Sequence, residues 1–295
     1  NIIEEYFWAA AAEFADSVGA DIITSSLGYT TFDNSSMNHV YASDMNGDKN
    51  PSTIAADYAA SKGILVCVSA GNEGSSSWHY ISSPADADSV ITVGAVYSNR
   101  TITNFSSRGP SADGRIKPTV CTQGANTTYA YLNGTIGGGG NGTSFSCPIL
   151  AGAAACLWQT NTNKTNMEIL NIIKQSADKY NNPDNDYGYG IPNFSIARAL
   201  LNGVKMEDIK NEDVRIWPVP FSDNLNISFF SPDSQTITIK IFDVSGKLIF
   251  DKNEYIYPKS YNQINYNSFS TFNKGIYFIN ISTNKGSLTK KITKL

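Results

Sequence analysis

Histidine is almost missing from this 295-residue chain: His39 in MNHVY and His79 in SWHYI are the only two. A lone histidine is weak evidence for catalysis, so both are expected in ordinary loop or packing roles. Cysteine is also sparse. Cys67, Cys121, Cys147 and Cys156 have no zinc-site spacing, and the sequence leaves their disulfide state open. No apolar run approaches 18 residues, which excludes a helical membrane span. Residues 1–212 carry no basic cluster interleaved with aromatics, so nucleic acid is not an expected partner.

What the chain does have is a glycine-rich loop running into a helix pattern. Residues 139–148 read Gly-Gly-Asn-Gly-Thr-Ser-Phe-Ser-Cys-Pro, and ILAGAAACLWQ follows. The arrangement puts Ser144 at a helix N-terminus, where backbone N–H groups converge and the helix dipole favours negative charge. Pro148 suits the first helical turn, where a missing N–H costs nothing. A serine so placed can attack a carbonyl while the same N–H groups hold the oxyanion. A phosphate loop is excluded, because no lysine precedes the hydroxyl residue. The G-x-S-x-G elbow also fails, since Ser146 stands where its second glycine belongs. A glycine turn that merely caps a core helix remains the plain alternative.

Two further segments bear on that choice. GILVCVSAGNEG (63–74) reads as a buried parallel strand that delivers Asn72 to the rim of a sheet, and GADIITSSLGY (19–29) has the same form. Ligand and catalytic groups of open α/β sheets collect at that edge.

Together these segments resemble the subtilisin-like serine proteases (S8 family). The Gly-Thr-Ser-x-x-x-Pro pattern falls on Gly142, Thr143, Ser144 and Pro148, Ala-Gly-Asn on Ala70–Asn72, and Ser-Leu-Gly on Ser26–Gly28. Asn104–Pro110 and the Ile116-Lys117-Pro118 run before Gly124 agree as well. The likeness covers about residues 1–200. It implies peptide-bond hydrolysis through an acyl-enzyme on Ser144, with the Asn72 amide and the Ser144 N–H as the oxyanion hole. Ser26, Leu27 and Gly28 would pair with the substrate backbone as an added strand. Ala70 and Gly71, with Ser83 and Ala85, would wall an open, mostly apolar pocket for the residue before the scissile bond. Protein or peptide substrates are implied, and no cofactor is required.

The family's histidine and aspartate precede the serine in His-Gly-Thr and Asp-x-Gly contexts, and neither context occurs in this sequence. The chain starts at Asn1, without an initiator Met or a signal-like stretch, and EEYFWAAAAEFADSVGAD (4–21) resembles the family helix just before the Ser-Leu-Gly strand. The expectation is the C-terminal part of a longer precursor, inactive by itself. A catalytically dead relative that only binds peptides is the alternative.

The expected fold is a three-layer α/β subtilisin-like domain with a parallel sheet, N-terminally incomplete, over residues 1–203. A charged linker at 204–216 and a small all-β antiparallel sandwich at 217–295 follow. Length allows two domains, and charge divides between them: net −8 over 1–212 and +4 over 213–295. The tail shows period-2 runs such as TITIKIF and GIYFINIS, with Ser245-Gly246 as a hairpin turn. It resembles the C-terminal sorting domain of the type IX secretion system of Bacteroidetes-type bacteria. The matching elements are Trp217–Phe221, Ile241–Asp243 with Gly246–Leu248, Lys274–Phe278, and Lys290–Ile292. Pro-Val-Pro-Phe replaces the usual Pro-Asn-Pro-Phe. That likeness implies a secreted or cell-surface protein that engages the secretion machinery through residues 217–295. An adhesion or carbohydrate-binding sandwich is the competing reading, because fold alone does not give function.

Two acidic turns are candidate structural calcium sites: Asp44, Asn46 and Asp48, and the Asp184–Asp186 turn. Such clusters also serve as plain turns. Cys67 and Cys156 read as core residues, and Cys147, three residues from Ser144, as a small buried residue and not a nucleophile.

Overall fold

In the computed structural model, residues 1–202, 214–231, 233–258, 260–267, 269–284 and 286–295 are described. The described chain divides into two compact units, Asn1–Leu201 and Asn202–Leu295. The charged segment expected as a linker falls largely on 204–213, outside the described residues.

The first unit is built on four parallel strands: β1 (Ile22–Ser25), β2 (Leu65–Ser69), β3 (Ile91–Val96) and β4 (Val120–Gln123), paired in the order β1-β2-β3-β4. β2 and β3 are buried at every position, as expected for strands covered on both faces. Period-2 geometry sends alternate side chains to opposite layers. Leu65 and Cys67 join Ile91 and Val93 in a core with Cys147, Leu150, Ala154 and Leu157 of α4 (Thr143–Gln159), and with Ile169 and Ile173 of α5 (Asn166–Gln175). Val66 and Val68 face the other way, toward Trp8 and Ala12 of α1 (Ile3–Ser17) and Ala56, Ala59 and Ala60 of α3 (Pro51–Ser61). α2 (Tyr41–Asp44) and α6 (Phe194–Leu201) complete the helices of this unit. This is the three-layer arrangement expected from the strand runs.

Small residues let the helices sit close to the sheet. Trp8 Nε1 donates to Ser25 Oγ at 2.9 Å in the interior, tying α1 to the end of β1. α5 opens with a capping box in which Thr165 and Glu168 satisfy each other's backbone N–H groups. Asn166 donates to the Ala60 and Ile64 carbonyls at 2.7 and 2.9 Å, joining α5 to the loop before β2.

After β4 comes a hairpin of β5 (Thr127–Ala130) and β6 (Ile136–Gly140), which leads into α4. The second unit holds β7 (Arg215–Trp217) and β8 (Leu225–Ser231), then β9 (Gln235–Asp243), β10 (Leu248–Ile256), β11 (Ser260–Tyr266), β12 (Gly275–Thr283) and β13 (Gly286–Lys294). They form two antiparallel sheets, β10-β9-β12-β13 and β11-β8-β7, around Phe221, Phe229, Ile239, Phe269 and Ile279. The β9–β10 turn is the expected one: Asp243 accepts from the Ser245 and Lys247 N–H groups, and Gly246 adopts φ +83°. Phe221 is fully buried, and its backbone clips the C-terminus by accepting from Leu295 N–H and donating to the Thr293 carbonyl.

One buried cation underpins the turn that leads into β3. Lys117 Nζ donates to the Ala87 carbonyl at 2.7 Å and to Thr92 Oγ1 at 2.8 Å, and Thr92 Oγ1 donates to the Ala85 carbonyl. Burial, reinforced by the Arg115 charge, lowers its ammonium to about 7. The unfolded chain keeps this lysine protonated up to about 10.5, so between those values it binds more protons than the native state. Stability therefore rises with pH in that range. Denaturant unfolding should show a gain of about 1–2 kcal/mol between pH 7 and 8.5, and Lys117→Met should lose most of that slope. An unchanged slope in the variant would contradict the assignment.

Candidate active site

The site forms where β2 ends, where β1 ends and where α4 begins. Beyond β2, the chain continues through Ala70, whose N–H donates to the Val93 carbonyl, and turns at Gly71 with φ +105°. A side chain at Gly71 would also meet Ser107 Oγ at 2.8 Å, so conformation and close approach both demand glycine. The turn presents Asn72 on the surface at the carboxyl edge of the sheet.

Asn72 then reaches the start of α4. Its Oδ1 accepts from the Thr143 N–H at 2.8 Å and from Thr143 Oγ1 at 3.0 Å. Gly142, at φ +146°, is the N-cap and offers no side chain, so Asn72 supplies the cap from a distant strand. Two donors on one oxygen fix the amide's orientation and leave Nδ2 free to donate elsewhere. A Cβ placed on Gly142 would lie 3.6 Å from Asn72 Nδ2 and 3.7 Å from Ser144 N. The two donors therefore share one side of the glycine, beside a half-buried Ser144 at the positive end of a 17-residue helix.

Ser26 Oγ donates to the Ser144 carbonyl oxygen at 3.3 Å. Ser26, Leu27 and Gly28 lie in an extended segment after β1, with Leu27 exposed, and Tyr29 N–H pairs with the Ser83 carbonyl at 2.9 Å. A groove of about 960 Å³ runs beside this segment, lined by Phe7, Trp8, Ala11, Ile23, Ser26 and Leu27.

The expected pocket wall is rearranged at three positions. Ala70 and Ala85 are fully buried within the α1/α3 core, and the Ser83 side chain turns inward to Ser52, Thr53 and Glu5. Ser82 is the side chain that crowds Gly28 and lies 3.4 Å from the Gly71 Cβ position. Two adjacent serines before a proline give no pattern by which the sequence distinguishes inward from outward. Ser82, Ser107 and the clamp role of Thr143 likewise carry no local sequence signal.

Both histidines are engaged elsewhere. His39 Nε2 lies 2.6 Å from Glu5 Oε1, and His79 Nδ1 lies 2.8 Å from the Gly74 carbonyl. Cys147 is buried, bonded to Thr24 and the Ser25 carbonyl, and burial raises its thiol to about 11, which suits a packing role. Cys67 is buried as expected, but Cys156 is exposed: the buried stripe of α4 runs through Cys147, Leu150, Ala151, Ala154 and Leu157, and position 156 falls off it. All four thiols are free.

The two acidic turns make protein contacts. Lys49, the Val40 N–H and Ser43 bind Asp44 and, against its burial, hold its carboxyl down at about 2, with His39 Nδ1 3.6 Å away. Asn46 is spent on the Asp48 N–H. Asp184 accepts from Lys179 and from two backbone N–H groups, and Asp186 pairs with Arg108 at 3.0 Å. Among the described residues no group of three or more His, Cys, Asp or Glu is placed to hold a metal.

Comparison with known proteins decides the family. The subtilase family profile matches residues 1–190, nearly two thirds of the sequence. The chain belongs to the subtilase family. Serine protease AprX of Bacillus subtilis is 36% identical over 166 residues, covering 49% of this chain and 37% of that protein. Subtilisin BL of Lederbergia lenta is 36% identical over 156 residues, 51% of this chain and 53% of its own length. This subtilase thus spans about half, or less, of the length of these relatives. Among solved structures, the self-cleaved protease domain of PatA superposes with a TM-score of 0.54 at 25% identity, covering 67% of this chain and 68% of that one. MycP1 from Mycobacterium smegmatis gives 0.51 at 26% identity, covering 64% and 53%. Residues 215–294 match the secretion system C-terminal sorting domain, which indicates secretion or export to the cell surface.

The capping geometry of this subtilase yields its own test. Asn72→Ala leaves the buried Thr143 N–H without an acceptor and should lower stability by about 1–3 kcal/mol. Asn72→Asp keeps the acceptor at a helix N-terminus and should remain near wild type in the same denaturant titration. Equal stability for all three proteins would break the argument.

Proposed function

We propose that the protein containing this chain is a secreted serine endopeptidase that cleaves peptide bonds through an acyl-enzyme on Ser144. The observation that carries the reading is the shared placement of Asn72 Nδ2 and the Ser144 N–H beside Gly142. Attack by Ser144 Oγ on a carbonyl converts that oxygen to an oxyanion. These donors and the α4 dipole stabilise charge that is small in the substrate and full in the tetrahedral intermediate. Ser26–Gly28 would take the substrate backbone as an added strand, held by Tyr29 at Ser83. Gly71 and Ser82 would line the adjacent wall.

The base is the missing element. No described residue accepts the Ser144 proton, and both histidines are bonded elsewhere. In our reading, an upstream part of the same protein supplies the histidine and its orienting aspartate, and this chain alone is inactive. Two features favour that reading. The outer edge of β1 has no partner strand among the described residues. Phe7 on α1 and Ile149 on α4 are exposed apolar side chains that a further layer could cover. Calcium has no part in the proposal. The tail is read as an export signal engaging the secretion machinery; a retained binding module would instead stay attached after export and hold a ligand.

The full-length protein should hydrolyse peptide substrates, whereas this chain alone should give no turnover. Ser144→Ala should abolish hydrolysis. Asn72→Ala should lower kcat by about 10²–10³ with little change in KM, the loss already known for the oxyanion-hole asparagine of subtilisin. Undiminished turnover by the Ser144 variant would sink the proposal.

A further inference from the structure

A fully buried acid of the first unit has no part in the chemistry above. Glu5 sits on α1 and is fully buried. Its Oε1 lies 2.6 Å from His39 Nε2, and its Oε2 accepts from Ser52 Oγ at 2.9 Å, from the Ser52 N–H at 3.4 Å and from Ser83 Oγ at 3.4 Å. Ser52 Oγ and Ser83 Oγ are 2.6 Å apart, and Ser83 Oγ is 2.8 Å from Thr53 Oγ1, which donates to buried Asp86 at 2.6 Å. Despite burial, the bonds from His39 and Ser52 hold the Glu5 carboxyl below its usual range.

A buried carboxylate is costly, and replacing such groups with apolar ones is often neutral or stabilising. Fold stability is therefore a poor reason for this network, and its position suggests another. It joins four separate segments: α1, the loop carrying His39, the first turn of α3, and the Ser82–Pro84 turn. The last segment holds the substrate strand in place, because the Ser83 carbonyl accepts from Tyr29 N–H directly after Gly28, and Ser82 packs against Gly28. Tyr29 is tied to the same helix from its other end, its hydroxyl donating to the Glu4 carbonyl at 3.3 Å.

We propose that Glu5, with His39 and Ser52, is a positioning cluster that sets the spacing between the Ser26–Gly28 strand and the Ser82 wall, and so determines which residue before the scissile bond the cleft accepts. The proposal rests on the protease reading and deepens it. Glu5 acts through Ser83 and touches no substrate. It explains why Ser83 turns its hydroxyl inward: the backbone of this residue faces the cleft, and its side chain anchors that backbone.

The test uses the full-length protein with Glu5→Gln, His39→Gln and Ser52→Ala. Two readouts are taken: steady-state kinetics on peptides differing only in the residue before the scissile bond, and the rate of Ser144 labelling by a small alkyl fluorophosphonate that does not fill the cleft. Each variant should raise KM about tenfold for the preferred peptide and narrow the ratio of kcat/KM between good and poor peptides. Labelling should stay at the wild-type rate. Glu5→Gln and Ser52→Ala combined should cost little more than either alone, because they cut one chain of bonds. Variants that lose thermal stability with unchanged KM and selectivity would overturn the proposal and leave a structural role only. Equal losses in labelling and turnover would also overturn it, by moving the effect to Ser144. Absence of wild-type labelling would instead strike at the protease reading itself.

Discussion

Everything at the site depends on one hydrogen-bonded junction between distant parts of the chain. Asn72 Oδ1 receives the first N–H and the first hydroxyl of α4, 71 residues further on. The helix has a glycine at its N-cap and cannot satisfy that N–H by itself. Asn72 performs the capping with its oxygen, which leaves its nitrogen available to donate near Gly142. A single amide thereby couples the stability of the loop before α4 to the placement of a free donor. The glycines at 71 and 142, both in the left-handed half of backbone space, allow the two segments to meet.

Polar groups around this junction divide into two sets. At the surface of the site, Asn72 and Ser26 are exposed and Ser144 is half-buried. Beneath it, at Glu5, Ser52, Thr53, Ser83, Asp86 and Lys117, they are buried and mutually satisfied. A satisfied buried network rigidifies the segments it joins. In this unit it joins the helix before β1, the turn that carries Ser82, and the start of β3. The apolar layers supply cohesion, and the network fixes the relative positions of loops that no strand pairing controls.

Much of the architecture was legible because periodicity carries it. The continuous apolar run of β2, the alternating runs of the tail and the Ser245-Gly246 turn each follow from local sequence. The loop running into α4 was legible for the same reason: glycines, a hydroxyl and a helix pattern stand in one stretch. Pocket details were not. Whether Ser82 or Ser83 faces outward depends on Glu5 and Ser52, which are 78 and 31 residues from Ser83. The partners of the acidic turns were not legible for a related reason: Asp44 pairs with Lys49 and Asp184 with Lys179, in contacts that depend on how each loop closes. Cys156 read as core because its helix is rich in small residues, and composition does not say which face of an all-apolar helix is covered.

The claim on which the account turns is that Ser144 is a nucleophile held ready for acylation. Mass mapping of full-length protein after reaction with a fluorophosphonate tests it most directly. A single adduct on the peptide that contains Ser144, absent when the protein is denatured first, is the predicted result. An adduct on a different residue, or none from folded protein that still cleaves peptides, would contradict it.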